Sequence, residues 1–318
     1  MTNHISSTIV SRIDQKKARL QALRPLPQSA VRKLQEKFEI EMTYNSNAIE
    51  GNSLTLKETF LVINEGITIK GKPLKDHLEA KDHHEALEMV YELVSQDAQP
   101  TISEHLIRTL HQLVVKKTEE DIAGKYRTSN VFIAGASHTP PDALQVTGKM
   151  RQLIQWYAKH GRCLHPIELA ALTHHKLVHI HPFLDGNGRT ARLVMNVVLL
   201  REGYPLAVIL KNDRRKYYRA LHLADNGELD LLVRMIAQAV ERSLNIYLDT
   251  LTPSSNKKEK HLKLADVATE VPYSAKYLNL LARQGKLEAY KLSRDWLTSV
   301  EAVQRYMSDR ERQRQLSQ

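Results

Sequence analysis

The sequence predicts an all-α protein core with a small second domain at the carboxyl end. Glycine is rare, at 12 of 318 residues, and aromatic residues make up only 6%, a composition that favours helices. Apolar residues recur at helical spacing in several stretches, first at Val31, Leu34, Phe38 and Met42. The length fits one large domain and a smaller one.

The helical pattern continues along the chain with one clear interruption. Residues 126–141, YRTSNVFIAGASHTPP, are rich in β-branched and small residues and end in two prolines, which predicts a hairpin or a loop. Helices are predicted over 28–49, 105–117, 165–178, 188–201 and on both sides of Asn226-Gly227.

A linker separates the predicted core from the carboxyl-terminal domain. Residues 251–260, LTPSSNKKEK, are rich in proline and serine and then charged, as linkers are. After them come a short helix, a turn, a helix over 274–283, a hairpin over 286–296 and a last helix, an order typical of a winged helix-turn-helix. We therefore predict a helical region over 1–100, a catalytic core over 101–250, the linker over 251–260 and a winged helix-turn-helix over 261–312.

Charge and composition narrow the classes of function. The net charge is +10, and residues 257–318 carry half of it, with 13 Lys/Arg against 8 Asp/Glu. Such a concentration favours nucleic acid as a partner, although a solvated basic face is the alternative. The single cysteine, Cys163, excludes an internal disulfide and a cysteine zinc cage. Because neither a signal peptide nor an apolar run of about 18 residues is seen, we expect a cytoplasmic protein without membrane contact.

The most informative stretch is HPFLDGNGRTAR, residues 181–192. Glycines 186 and 188 directly precede an apolar helix, whose first backbone N–H groups and dipole form an anion site. Arg189 and Arg192 are three residues apart, so both lie on one side of the first turn and can grip phosphate oxygens. An ordinary turn before a helix is the alternative, but it leaves the polar residues unexplained.

Two further side chains of this stretch complete a nucleotide chemistry. Asp185 supplies the hard oxygen ligand that Mg²⁺ prefers when it is shared with phosphates. His181 can remove a proton at physiological pH. A zinc hydrolase is a second interpretation, because His175 and His179 are one helical turn apart, with His174 and His181 beside them, although neither HExxH nor a third-ligand pattern accompanies them.

The stretch 181–192 matches in full the signature HPFx[D/E]GNGRxxR, and the chain thereby resembles the Fic (filamentation induced by cAMP) family. Residues 124–127, GKYR, with the following SNVFIAGASHTPP resemble the flap of that family, and KYYRALHLADNGE resembles its nucleotide-side helix. The similarity extends over roughly residues 40–250. It implies a helical core with a short β-hairpin flap that transfers AMP from ATP to a hydroxyl of a target protein, a reaction called AMPylation.

The resemblance implies a role for each polar residue of the signature. His181 would deprotonate the target hydroxyl, and Asp185 would hold Mg²⁺ at the phosphates of ATP. Gly188, which stands where phosphate-donor relatives carry lysine, would leave room for the AMP-transfer orientation of the nucleotide. The implied nucleotide-binding residues of the signature are Gly186, Asn187 and Gly188 as the anion hole, with Arg189 toward the β-phosphate and Arg192 toward the γ-phosphate.

Outside the signature, the resemblance implies a base site and a docking site. Tyr218 would pack near adenine, or it is an ordinary core tyrosine; both interpretations stay open. Asp225 stands where relatives often have asparagine, and because a carboxylate only accepts hydrogen bonds, base selectivity is in question. The flap would hold a target segment by main-chain pairing, or it is an ordinary exposed hairpin. Its expected contact residues are Asn130, Val131, Phe132 and Ile133.

Residues 46–51, SNAIEG, resemble the inhibitory motif [S/T]xxxE[G/N] of the same family. On a helix, Ser46 and Glu50 face the same way. Glu50 would contact Arg192 and so keep the guanidinium from the γ-phosphate. A solvated glutamate at a helix end is the alternative.

The favoured hypothesis is a protein adenylyltransferase, inhibited by Glu50, that modifies a Ser, Thr or Tyr of a target protein or of itself. The alternatives are a nucleotide-sensing regulator that binds duplex DNA through residues 261–312, and a hydrolase that removes AMP. A homodimer is left open.

Overall fold

The structure is a computed structural model that describes residues 4–96, 102–133, 138–252 and 259–316. It is built mainly of α-helices with one small sheet, which confirms the predicted fold class. The helices are α1 (Ser7–Ala22), α2 (Gln28–Glu50), α3 (Leu56–Asn64), α4 (Leu74–Gln96), α5 (Glu104–Val114), α6 (Val146–His160), α7 (Pro166–Ile180), α8 (Asn187–Arg201), α9 (Arg214–Asp225), α10 (Asp230–Leu251), α11 (Leu264–Val267), α12 (Ala275–Arg283) and α13 (Val300–Leu316). The strands are β1 (Leu262–Lys263), β2 (Tyr290–Leu292) and β3 (Asp295–Thr298).

The chain divides into two compact units. One consists of residues 1–31 and 237–318, and the other of residues 32–236. The sequence-based division at residues 100, 250 and 260 stays a prediction, since compactness does not test which segments fold independently. Most of the predicted linker, residues 253–258, lies outside the described residues.

Helix α8 forms the centre of the unit 32–236. It packs against α7, α5 and α4, and its residues Leu193, Val194, Val197 and Val198 are all fully buried. Apolar residues on every side are what a helix needs when it is enclosed by other helices. The amino-terminal end of this buried helix carries the residues of the signature, so the surrounding helices hold them in place.

One polar residue of α8 fixes the segment that follows the helix. The Asn196 side chain accepts a hydrogen bond from the backbone N–H of Ala207 at 2.7 Å and donates to the carbonyls of Ala207 and Arg192 at 3.2 and 3.0 Å. A buried amide with all these partners costs little to bury. It anchors residues 204–210, an extended and fully buried segment that leads to α9.

The unit formed by residues 1–31 and 237–318 has its own core around α11, α12 and α13. Its three-stranded antiparallel sheet has the order β1-β3-β2, and Tyr290 pairs with Leu297 in the register of the β2–β3 hairpin. The hairpin turns at Ser293, which has a φ of 56°. The buried core residues are Leu264, Val267, Leu278, Leu281, Ala282, Leu287, Ala289 and Val303.

A buried charge network joins α1 to the carboxyl-terminal segment within this unit. Glu241 on α10 accepts hydrogen bonds from Arg12 and Lys16 of α1 at 2.5 to 2.7 Å, and Lys16 also pairs with Glu288. Burial alone would raise the pKa of Glu241, but Lys16 and Arg12 outweigh it and hold the pKa below its ordinary value. Removing either cation would leave a buried carboxylate partly unpaired, which is costly.

The flap differs from the predicted β-hairpin. Residues 130–133 contain no strand, and residues 134–137 lie outside the described part of the chain. Side chains of this region form hydrogen bonds with one another and with nearby backbone groups. Arg127 donates to the carbonyls of Ser129 and Pro141, and Asn130 donates to Asp142 and accepts from the N–H of Ala143.

Candidate active site

The site begins where α7 ends, at His181. This residue caps the helix in the left-handed conformation, with a φ of 49°, and its N–H donates to the carbonyl of Leu177. Arg127 holds the turn from outside, since its Nε donates to the carbonyl of His181 at 2.8 Å and its backbone N–H donates to Pro182 at 2.9 Å. The αL turn and these two bonds set where the imidazole stands.

The loop between His181 and α8 is anchored by an aromatic stack. Phe183 is fully buried and lies parallel to His111 of α5 at 3.7 Å between ring centroids. The Nδ1 atom of His111 accepts from the N–H of Gly124 at 3.0 Å, so its Nε2 donates to the carbonyl of Asp185 at 2.9 Å. Burial lowers the pKa of His111 to about 4, which keeps the ring in this neutral form. His111 is therefore a structural support for the loop.

The first residues of α8 leave an anion site open at its amino terminus. Gly186 has a φ of 74°, and a Cβ there would lie 2.9 Å from Val115, so only glycine fits. The first helical bond runs from the N–H of Thr190 to Gly186, which leaves the N–H groups of residues 187–189 without a helical partner. The Asn187 side chain is itself used in the loop, donating to and accepting from the backbone of Phe183.

Arg192 is fully buried and is held by the carboxyl end of α2. Its Nε donates to Ser46 Oγ at 2.9 Å, and its Nη2 donates to the Ser46 carbonyl at 2.9 Å and to Glu50 Oε1 at 2.7 Å. The structure thus brings Ser46, Glu50 and Arg192 into contact. A Cβ on Gly188 would overlap Glu50 Oε1, so the carboxylate of Glu50 fills the space at the amino terminus of α8, where an anion would bind.

Arg189 is equally buried but has looser partners. Its Nη1 lies 3.4 Å from Glu79 Oε1 on α4, and its Nη2 lies 3.3 Å from Asp185 Oδ2. Among the described residues, Nε and Nη1 of Arg189 have no hydrogen-bond partner. Glu79 also accepts a 2.9 Å hydrogen bond from Asn52, two residues beyond Glu50. A buried guanidinium with unsatisfied N–H groups is suited to an incoming phosphate.

His181 is held neutral. Burial, followed by the positive charge of Arg127, lowers its pKa to about 4, although a hydrogen bond to Val178 and the charges of Glu50 and Asp185 act in the opposite direction. A neutral imidazole is the form that accepts a proton. The site therefore combines a proton acceptor with an anion cradle and two buried arginines.

Known proteins resemble this chain in sequence and in fold. The family model described as Fic/DOC matches residues 101–199. A crystal structure of a Fic domain containing signaling protein from Bacteroides thetaiotaomicron superposes with a TM-score of 0.71 at 32% identity, covering 78% of this chain and 99% of that one. The chain belongs to the Fic/DOC family.

Curated Fic relatives extend the similarity beyond the matched domain. The protein adenylyltransferase Fic of Nematostella vectensis is 34% identical over 267 residues, which is 84% of this chain and 62% of that protein. The protein of the same name from Drosophila virilis is 36% identical over 237 residues, or 74% of this chain and 48% of that protein. The chain thus spans about half to two thirds of the length of these Fic relatives.

The carboxylate of Asp225 is hydrogen-bonded to two histidines of α7. Its Oδ1 accepts hydrogen bonds from His175 Nε2 at 3.0 Å and His179 Nδ1 at 2.9 Å. Tyr218 is 39% exposed, and its hydroxyl donates to the carbonyl of Ile49 at 3.3 Å. Tyr218 is thus a partly exposed side chain with a hydrogen-bonded hydroxyl, and it is not a fully buried core residue.

The Asp185 carboxylate fits the requirements of a Mg²⁺ ligand. Its side chain is 50% exposed at the entrance of the Fic site, and Oδ1 accepts the N–H of Gly186 at 2.6 Å. A half-exposed carboxylate leaves lone pairs for an ion that keeps most of its water.

Several site residues of this Fic protein were missed by the sequence analysis. Glu79, His111 and Arg127 come from segments that carry no catalytic pattern of their own, and they reach the site only through tertiary contacts. The GKYR segment was the one available signal, because it belongs to the flap region and contains Arg127.

In the described part of the chain, no helix is both long and apolar enough to cross a membrane.

Proposed function

We propose that this Fic protein transfers AMP from ATP to a hydroxyl side chain of a target protein, or of itself. The observation that carries the proposal is the neutral His181 beside an anion cradle with two buried arginines. The relatives from Nematostella vectensis and Drosophila virilis, both named protein adenylyltransferase Fic, support it.

In the proposed reaction, His181 accepts the proton of a Ser, Thr or Tyr hydroxyl as its oxygen attacks the α-phosphorus of ATP. The bond between the α-phosphorus and the bridging oxygen breaks, and pyrophosphate leaves with the electron pair. The N–H groups at the start of α8 and the guanidinium of Arg189 stabilise the phosphate charge, while Arg192 binds the γ-phosphate. Asp185 would hold Mg²⁺, which offsets phosphate charge when bound.

Two other segments are proposed to bind the reactants. The flap residues 130–133 would receive the target segment. Phe132 is 89% exposed, so its ring is accessible to an apolar side chain of a target. On the base side, Tyr218 would pack near adenine, and Asp225 would lie at its polar edge.

Inhibition by Glu50 is part of the proposal. Its carboxylate accepts a hydrogen bond from the guanidinium of Arg192 and fills the space beside Gly188. ATP cannot place its γ-phosphate there until Glu50 moves. Ser46 holds Arg192 in this position through two further hydrogen bonds.

The test is a labelling experiment with Glu50→Gly protein, cell lysate and Mg²⁺. ATP labelled at the α-phosphate should label protein, whereas ATP labelled at the γ-phosphate should not. The double variant Glu50→Gly/His181→Ala is the matched control and should transfer no label. Label arriving from the γ-phosphate would contradict AMP transfer. Release of AMP from the labelled protein by the wild type, but not by Glu50→Gly, would support the hydrolase alternative.

A second function, binding of duplex DNA, is favoured by the shape and charge of residues 261–312. Helix α12 buries Leu278 and Leu281 and exposes Lys276 and Arg283 on its other side. Exposed basic residues along a short helix beside a β2–β3 hairpin suit a recognition helix and wing of a winged helix-turn-helix.

DNA binding is tested with the full chain and fluorescent duplex DNA at several salt concentrations. The triple change Lys276→Glu, Arg283→Glu and Lys286→Glu should abolish binding, and wild-type affinity should fall steeply with salt. Arg32→Glu, which changes a side chain that is 83% exposed on α2, is the control for a single charge reversal outside residues 261–312 and is compared with each of the three changes made alone. Equal affinity of the wild type and the triple variant would contradict the proposal.

A further inference from the structure

A cluster of imidazole and carboxylate groups surrounds Asp225, the residue proposed to contact adenine. His138, His179 and Asp225 offer ligand atoms that all lie within 4.8 Å of one another. They come from three separate segments: the carboxyl-terminal part of the flap region, the last turn of α7 and the end of α9. The tertiary structure therefore combines His179 with two ligands, His138 and Asp225, that the His175/His179 spacing did not indicate.

The three groups are held by their surroundings in a way that suits a metal ion. His138 stacks on His179 at 3.7 Å between ring centroids, and its Nε2 is hydrogen-bonded to the carbonyl of His179 at 2.8 Å. His175, one helical turn before His179, forms a hydrogen bond with the Oδ1 atom of Asp225 at 3.0 Å. A hydrogen-bonded neighbour that orients a ligating carboxylate is a regular feature of metal sites.

Charge favours a cation at this position. The carboxylate of Asp225 accepts hydrogen bonds from both His175 and His179, and a carboxylate oxygen is an anionic ligand for a cation. All three ligating residues are partly exposed, which leaves a route for an ion and a place for a water ligand. Two imidazoles and a carboxylate, with water in the fourth position, form a donor set that suits zinc, whereas Mg²⁺ prefers oxygen alone.

We propose that His138, His179 and Asp225 form a binding site for a zinc-class transition metal ion, with His175 as the residue that positions Asp225. Ligand atoms of one Zn²⁺ stand about 3.3 Å apart, given bonds of about 2.0 to 2.1 Å in a tetrahedron. The stacked rings of His138 and His179 must therefore rotate until their nitrogen lone pairs converge on the ion. The ion fixes the carboxyl-terminal part of the flap region to α7 and α9. Because Asp225 is also the proposed adenine contact, ion and base compete; that consequence alone rests on the proposed function.

The site is tested on the full chain after treatment with a chelator and removal of the chelator. Co²⁺ serves as the spectroscopic probe, since its visible absorption reports four-coordinate nitrogen and oxygen ligation, and Zn²⁺ should displace it from a single site while Mg²⁺ should not. His138→Ala and Asp225→Asn should each weaken Zn²⁺ binding at least about 10-fold, and His175→Ala about 10-fold. The control is His160→Ala, which removes a ring that packs on Trp156 outside the cluster.

Unchanged Zn²⁺ affinity in His138→Ala and Asp225→Asn, with circular dichroism showing folded protein, would overturn the site. Loss of binding in His160→Ala to the same extent would do so as well, because it would show diffuse binding to surface histidines. The experiment contains no nucleotide, so its outcome is independent of AMP transfer. In a second step, Zn²⁺ should weaken the binding of adenosine, which lacks chelating phosphates, to the wild type but not to His138→Ala. Equal weakening in both proteins would refute the competition.

Discussion

Glu50 Oε1 accepts a hydrogen bond from Arg192 Nη2 at 2.7 Å, although the two residues lie 142 positions apart in the sequence. The guanidinium is fully buried and the carboxylate is partly exposed, with 35% of its side-chain surface accessible. The exposed partner can leave, whereas Arg192 cannot. Glu50 is thus the residue of the pair that moves when an anion replaces it.

Glu50→Gly should therefore increase AMP transfer. A hydrogen bond to a charged group contributes about 1.5 to 3 kcal/mol, so its removal should raise the transfer rate at low ATP by about 10-fold or more. The rate is measured with α-labelled ATP. Glu202→Gln, which changes a glutamate beside Arg201, should leave the rate unchanged. An equal rate in wild type and Glu50→Gly would show that this contact does not limit the reaction.

Glu79→Gln should destabilise the protein, and nucleotide should restore part of the loss. Removing a carboxylate from a buried guanidinium costs about 3 kcal/mol or more, because Arg189 keeps only its 3.3 Å contact with Asp185. A phosphate group can supply the negative charge that is lost. The free energy of unfolding is measured in denaturant, with and without a non-hydrolysable ATP analogue.

Asp82→Asn is the matched control for this prediction. Asp82 is also buried on α4, but it is bonded to Lys117. Its replacement should destabilise the protein without an enlarged response to nucleotide. If both variants gained the same stability from nucleotide, Glu79 would have no specific connection to the phosphate site.

The transfer rate should stay high at mildly acidic pH. Burial lowers the pKa of His181 to about 4, so the neutral, proton-accepting imidazole is populated at every pH above that value. Single-turnover rates of Glu50→Gly protein should be level from pH 8 to 5 and fall by half near pH 4. A midpoint near 6.5 would contradict the burial of the base.

The same lowered pKa affects stability in the opposite direction from a salt-bridged histidine. Below about pH 6.5 the unfolded chain binds a proton that folded His181 does not. The free energy of unfolding should therefore decrease as the pH falls from 6.5 toward 4. Circular dichroism across this range shows whether the protein remains folded during the rate measurements.

Phe132→Ala should impair modification of a target protein while nucleotide binding stays intact. Phe132 is 89% exposed, and burying such a side chain against a partner contributes about 1.5 to 3 kcal/mol. The KM for the target should rise by about 10-fold, with an unchanged Kd for the ATP analogue. Leu292→Ala, which truncates another exposed apolar residue, should change neither value. An unaltered KM in Phe132→Ala would exclude the flap as the docking site.

The amino-acid sequence by itself determined the helical class and the chemistry of residues 181–192. Both are local properties, because helical periodicity and the anion site at a helix start depend on residues close together in the chain. Ser46 and Glu50 were indicated by the resemblance of residues 46–51 to the inhibitory motif of the family, and their spacing places both on one face of a helix.

Only the tertiary structure decided which side chains complete the site. Glu79, His111 and Arg127 reach it from distant segments, and the carboxylate of Asp225 is shared by two histidines of another helix. The flap contains no strand in its described residues. Arg127 and Asn130 instead bind backbone groups of Ser129, Pro141 and Ala143. Such contacts depend on how helices pack around buried α8, and helix packing is set by the whole chain and not by any local pattern.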